Sequence, residues 1–217
     1  MRFEKKFRIS LSEFNKIKYI LKTISFHEAY PCRFISSVYY DSLDFKFYRD
    51  SINGISNRKK IRARFYDNNH KEIKIEEKIK IAEMGYKITS PIRNNKHLIL
   101  KDLEINQTFI KEKIRVPSEI FKSFFPVTYI NYLRSYFISN DGKTRITLDE
   151  KISYSKIVST LNKLYINTDI PDPRGVVEIK FDQENEFANI SIDKITKYID
   201  SPLTRNSKYC NSIECLF

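Results

Sequence analysis

The chain has 217 residues, 41% of them hydrophobic and 14% aromatic, which is enough apolar surface for a packed core and excludes a disordered chain. Its 39 Lys and Arg against 27 Asp and Glu leave a net charge of +12, so polyanions are the expected partners. Three cysteines (Cys32, Cys210 and Cys215) without a CxxC pair exclude a disulfide frame, and with no signal core or long apolar run the expected location is cytoplasmic.

The first stretch, Arg2-Phe3-Glu4-Lys5-Lys6-Phe7-Arg8, has the period of a strand, with Glu4 and Lys6 on one face. Ser10 and Glu13 then stand at capping-box spacing, and Phe14, Ile17, Leu21 and Ile24 predict a helix over 11–24. A strand is expected over 35–41, a short helix or turn over 44–50, and a turn at Asn53-Gly54. Strands at 58–66 and 71–81 follow, joined by a hairpin turn at Asp67-Asn68-Asn69. The change of character over 94–126 predicts a helical insertion outside the sheet. Strands resume at 127–139, 143–149 and 175–182, the first two joined by Asn140-Asp141-Gly142. A loop spans 171–175, and helices are expected over 192–199 and 207–217. No repeat or linker interrupts the chain, so residues 1–217 are expected to form a single α+β domain.

Four of these segments give one face to charge: residues 2–8, 60–65, 75–80 and 177–181. One such strand is an ordinary half-solvated strand. Several, with Glu repeatedly among the cations, predict a sheet curled around a charged interior. The expectation is a closed antiparallel β-barrel of about eight strands with flanking helices. Such an interior suits a multiply charged phosphate chain and its metal ion. The Glu residues beside the cations would repel a nucleic-acid backbone, so no nucleic acid is expected. Bland readings stand beside these. The Arg62 and Arg64 pair would by itself be a solvated face, and Glu178-x-Lys180 a cross-strand ion pair. Tyr39-Tyr40 reads as core, and His27, His70 and His97 as surface.

The order of the motifs resembles a known family. It runs from Arg2-x-Glu4-x-Lys6-Phe7 through Tyr39-Tyr40-Asp41 and Tyr48-x-Asp50-x-x-x-Gly54 to Arg58-x-Lys60-Ile61-Arg62-x-Arg64-x-Tyr66. Glu76-x-Lys78, Tyr132-x-Arg134-x-x-Phe137, Thr144-Arg145-Ile146-Thr147-Leu148-Asp149, Val177-Glu178-Ile179-Lys180 and Arg205-x-Ser207-Lys208-Tyr209 complete it. The set is similar to the polyphosphate-polymerase domain of the vacuolar transporter chaperone (VTC) family, within the CYTH-like triphosphate tunnel metalloenzymes. The resemblance implies a topologically closed tunnel. It also implies an enzyme that binds ATP and transfers its γ-phosphate to a growing inorganic polyphosphate chain, assisted by Mn²⁺ or Mg²⁺. Carried over by position, Lys6, Arg62, Arg64, Lys78, Arg134, Arg145, Arg205 and Lys208 would bind phosphate. Glu178 would hold the metal, with Glu4 and Glu76 as secondary carboxylates. The chain departs from the hydrolytic members in carrying Arg2 where they begin with Glu. A hydrolase of inorganic, thiamine or nucleoside triphosphate on the same scaffold, and a non-catalytic polyphosphate-binding module, are the competing expectations. A membrane-protein partner that takes up the product stays open.

Overall fold

A computed structural model describes residues 2–82, 84–93, 124–159, 164–182 and 186–217. Strand β1 (Arg2–Ile9) leads through Ser10 into helix α1 (Leu11–Thr23). The capping box forms as its spacing predicts. The Glu13 amide donates to Ser10 Oγ, while the Glu13 carboxylate accepts from the Ser10 amide at 2.8 Å. Phe14, Ile17 and Leu21, on one helical face, are buried. Strand β2 (Phe26–Asp41) and helix α2 (Lys46–Ile52) precede the hairpin of β3 (Arg58–Tyr66) and β4 (Asn69–Ile81). Its turn holds Asp67 and Asn68 at φ 50° and 56°, a left-handed conformation that short Asx side chains tolerate. The remaining strands are β5 (Met84–Arg93), β6 (Phe125–Ser139), β7 (Arg145–Ser159), β8 (Leu164–Pro171) and β9 (Gly175–Asp182). Helices α3 (Glu186–Thr196) and α4 (Lys208–Leu216) close the chain. No helix among the described residues is long and apolar enough to cross a membrane.

Among the described residues the hydrogen-bonded strand order is β1-β9-β7-β6-β2-β3-β4-β5, with β8 paired to β7. The class is the α+β antiparallel one expected, but among the described residues the strand order does not close on itself: it has two ends, β1 and β5. Pro91 in β5 lacks the N–H that a further ladder would need, and proline suits an edge strand.

The chain divides into two compact units, each assembled from distant segments. The first comprises residues 1–34, 132–152 and 171–206, and the second residues 35–131, 153–170 and 207–217. Phe14, Ile17 and Leu21 of α1 pack with Ile146, Leu148, Val177 and Ile179 in the core of the first unit. Gly175 permits this approach, since a Cβ there would lie 2.6 Å from a ring carbon of Phe14. In the second unit Ile61, Ala63, Phe65 and Ile75 are buried, and the Phe65 ring stacks on Tyr129.

Several elements differ from expectation. β2 begins nine residues before the strand expected at 35–41, because residues 27–34 are largely exposed and lack the buried alternation by which a strand is read. β5 and β8 were not expected. β5 carries Gly85 and Pro91, and exposes Met84, Tyr86 and Ile88. β7 runs ten residues beyond the strand expected to end at 149. Of the insertion expected over 94–126, residues 94–123 lie outside the described residues, and Phe125 and Pro126 open β6.

Candidate functional site

Each unit gathers cations and carboxylates on one strand face. In the first, β1 pairs β9 so that Lys6 stands opposite Glu178 and Glu4 opposite Lys180. β9 in turn pairs β7, with Thr147 opposite Glu178 and Arg145 opposite Lys180. Lys6 Nζ lies 2.6 Å from Glu4 and 3.9 Å from Glu178, whose other oxygen is 2.6 Å from Lys180 Nζ. Burial pushes the Glu178 carboxyl up, but Lys6, Lys180 and Arg134 outweigh it and hold the group well below the usual carboxylate range. Arg134, from β6, donates Nε and Nη2 to the two oxygens of Asp149 at 2.5 and 2.7 Å. Burial opposes the Arg134 charge, yet the fully buried Asp149 keeps its pKa raised and the guanidinium cationic. Arg145 is exposed at the end of this face.

In the second unit Arg62 and Arg64 of β3 flank Glu76 of β4, which is 3% exposed. Arg62 Nε and Nη2 both reach Glu76 Oε2, at 2.7 and 2.5 Å, and Arg64 Nη1 lies 3.6 Å from the same oxygen. Lys87, from β5, takes Oε1 at 2.9 Å. Burial raises the Glu76 pKa, and the two arginines with Lys87 outweigh it, bringing it down to about 2. Glu76 is thus the counter-ion of these cations. The register also places Lys60, Lys78 and Lys87 directly opposite one another across β3, β4 and β5. Like charges at such positions destabilise a sheet, a cost that a bound anion would offset. Tyr39 of β2, opposite Arg62, accepts from Arg62 Nη1 at 2.9 Å and stacks on Tyr209 of α4. Burial pushes the Tyr39 phenol up, but Arg62, Arg64 and Lys60 bring it down to about 8. Tyr39 is therefore packed, as its sequence reading has it, with its hydroxyl on the cationic face.

The tail segment divides the last two expected ligands. Thr204 donates its amide to the Lys6 carbonyl at 3.0 Å, and Leu203 bridges Phe7, so the segment bearing the exposed Arg205 runs along β1. Ser207 is the N-cap of α4 and Lys208 its first residue. Arg205 therefore precedes the cap and stands outside α4. Lys60 Nζ donates to Ser207 Oγ at 2.7 Å. His27 is exposed, 3.2 Å from Asn140, and His97 lies outside the described residues, as do the side chains of Arg2 and His70.

Among the described residues no three of His, Cys, Asp and Glu converge into a metal cage. Glu4 and Glu178 instead share Lys6, with side chains 33% and 13% exposed. Two hard oxygen donors of this kind fit Mg²⁺ or Mn²⁺ completing its shell with phosphate oxygens and water. Glu76, 3% exposed and with both oxygens held by cations at 2.9 Å or closer, fits that role less well. Sequence reading missed Asp149, Lys60, Lys87 and Tyr209 as members of these clusters. Lys60, Asp149 and Tyr209 stand inside the family motifs, but their contacts join segments far apart in sequence.

Among the curated proteins none matches the chain. Solved structures that share its fold at low identity include three candidate cyclases. A candidate adenylate cyclase from Bacillus halodurans is 13% identical, with a TM-score of 0.59 over 100% of this chain and 97% of that one. A candidate adenylyl cyclase from Hippeastrum, described as having a dominant triphosphatase activity, is 14% identical with a TM-score of 0.55 over the same shares. A candidate adenylate cyclase from Vibrio parahaemolyticus is 12% identical, with a TM-score of 0.52 over 98% of this chain and 97% of that one. These likenesses make the fold that of the triphosphate tunnel proteins. The VTC domain model matches residues 1–217, and the chain belongs to the VTC domain family.

Proposed function

We propose that the protein is an ATP-dependent polyphosphate polymerase, a phosphotransferase that adds the γ-phosphate of ATP to an inorganic polyphosphate chain. The observation that carries this reading is the make-up of the two clusters. Guanidinium and ammonium groups stand on strand faces with carboxylates as counter-ions, an arrangement that grips polyanions and neutralises developing charge. Phosphoryl transfer asks for little more than positioning and charge stabilisation. The nucleophile, the terminal phosphate oxygen of the chain, is already an anion and needs no general base. It bonds to the γ-phosphorus while the bond from γ-phosphorus to the β,γ-bridging oxygen breaks, and the electron pair leaves with ADP.

In this reading Lys6, Arg134, Arg145 and Arg205 of the first unit bind phosphate oxygens, as do Arg62, Arg64, Lys78 and Lys208 of the second. Arg62 and Arg64 exchange part of their pairing with Glu76 for phosphate oxygens, and Asp149 keeps Arg134 oriented throughout. Glu178, with Glu4 beside it, would hold a Mn²⁺ or Mg²⁺ ion, which would neutralise phosphate charge when bound. Glu76 is the weaker carboxylate for that task.

A triphosphatase is the second reading. It is favoured by the activity described for the Hippeastrum protein, and water would then take the place of the chain terminus. Incubation with ATP and Mn²⁺, with phosphate products resolved by gel and ADP quantified, separates the two. Long chains with matching ADP are expected; orthophosphate alone would favour the triphosphatase.

A further inference from the structure

The Arg62 guanidinium is held differently from that of Arg134. Arg134 makes a fork with both oxygens of Asp149, which fixes its plane. Arg62 instead directs Nε and Nη2 at the single oxygen Oε2 of Glu76, and Lys87 takes Oε1. The remaining terminal nitrogen, Arg62 Nη1, donates to the Tyr39 hydroxyl at 2.9 Å and so ties the guanidinium to that ring.

The Tyr39 ring is itself braced. It stacks on Tyr209 with ring centroids 5.1 Å apart and planes 18° off parallel. Tyr209 is 1% exposed, and its hydroxyl donates to Asp41, which is fully buried. Asp41 does not move easily. Its carboxylate also accepts the Ser42 amide at 2.7 Å and the Phe47 and Tyr48 amides of α2 at 2.9 and 3.0 Å. Burial and the bond to Asp41 both push the Tyr209 phenol above its ordinary pKa, so it stays a donor. A second tie runs from Lys60 to the Ser207 cap of α4, with Lys60 Nζ 5.9 Å from the centre of the Tyr209 ring. Cys210 and Ile213 already give α4 an apolar docking face. A phenol–carboxylate pair adds orientation to that docking, since a buried polar pair is satisfied in one geometry only.

We infer that α4 is a strut for Arg62, and that Tyr209, anchored by Asp41, is a positioning residue of the phosphate-binding face. This rests on the proposed phosphate reading of Arg62. The test is titration calorimetry with inorganic tripolyphosphate. Arg62→Ala reports on the phosphate reading itself and should weaken binding about tenfold or more. Tyr209→Phe removes only the hydroxyl and should weaken binding about fivefold, as should Tyr39→Phe, in keeping with one lost hydrogen bond each. Because the two act through one contact, Tyr209→Phe should cost nothing further in the Tyr39→Phe background. Ile213→Val loosens α4 packing without touching the polar chain and should leave affinity unchanged, which a merely structural role for Tyr209 would not predict. Wild-type affinity in Tyr209→Phe, additive losses in the double variant, or an equal loss in Ile213→Val would overturn the strut while leaving the phosphate reading intact. Wild-type affinity in Arg62→Ala would overturn the phosphate reading, and the strut with it.

Discussion

Glu76 and Glu178 are carboxylates whose surroundings hold them charged. Glu76 falls to about 2 from an ordinary 4.5 through Arg62, Arg64 and Lys87, in spite of its burial. Glu178 is lowered likewise by Lys6, Lys180 and Arg134. A depressed folded-state pKa means that the unfolded chain binds protons first as pH falls. The stability these groups contribute is thus full above about pH 5 and is lost as pH drops toward 2, which denaturant melts across that window should show. Glu76→Gln removes the counter-ion of three cations. It is predicted to cost about 3 kcal/mol without ligand, measured by denaturant unfolding, and to tighten tripolyphosphate binding because one negative charge is gone. Glu178→Gln should behave differently. As the proposed metal-binding carboxylate, its loss should abolish metal-dependent turnover while leaving phosphate binding largely in place. Full activity in that variant would remove Glu178 from the mechanism.

At the scale of elements, local signals that also carried a burial pattern were legible. The Ser10–Glu13 box opens α1 where its spacing indicates, and the Asp67-Asn68 turn joins β3 to β4. The alternation of β1, β3, β4 and β9 gives the faces on which Glu4, Lys6, Arg62, Arg64, Glu76 and Glu178 stand. β5 was not legible because it is an edge strand. Met84, Tyr86 and Ile88 are exposed, so no buried face marks it, and Lys87 went unseen as a partner of Glu76. The Arg134–Asp149 fork and the stack of Tyr39 on Tyr209 join residues far apart in sequence, which periodicity cannot report. Helix α1 offers a separate stability test at Gly175. A methyl group there would meet the Phe14 ring at 2.6 Å, so Gly175→Ala is predicted to destabilise the fold by about 2 kcal/mol through overpacking. Thermal unfolding would measure it, and an unchanged melting temperature would mean that α1 shifts freely on β9.

For the molecule as a whole, a net charge of +12 with lysines aligned across β3, β4 and β5 implies self-repulsion that a polyanion relieves. Tripolyphosphate should therefore raise the melting temperature, increasingly with concentration, and added salt should shrink the shift. The double variant Arg62→Ala/Arg64→Ala should lose most of the shift even at low salt. The central claim is the direction of phosphoryl transfer, and following the γ-phosphate tests it most directly. The protein would be given γ-labelled ATP, Mn²⁺ and a short unlabelled polyphosphate, and label and ADP would be followed together. The account predicts label entering chains one-for-one with the ADP released; label recovered only as orthophosphate would contradict it.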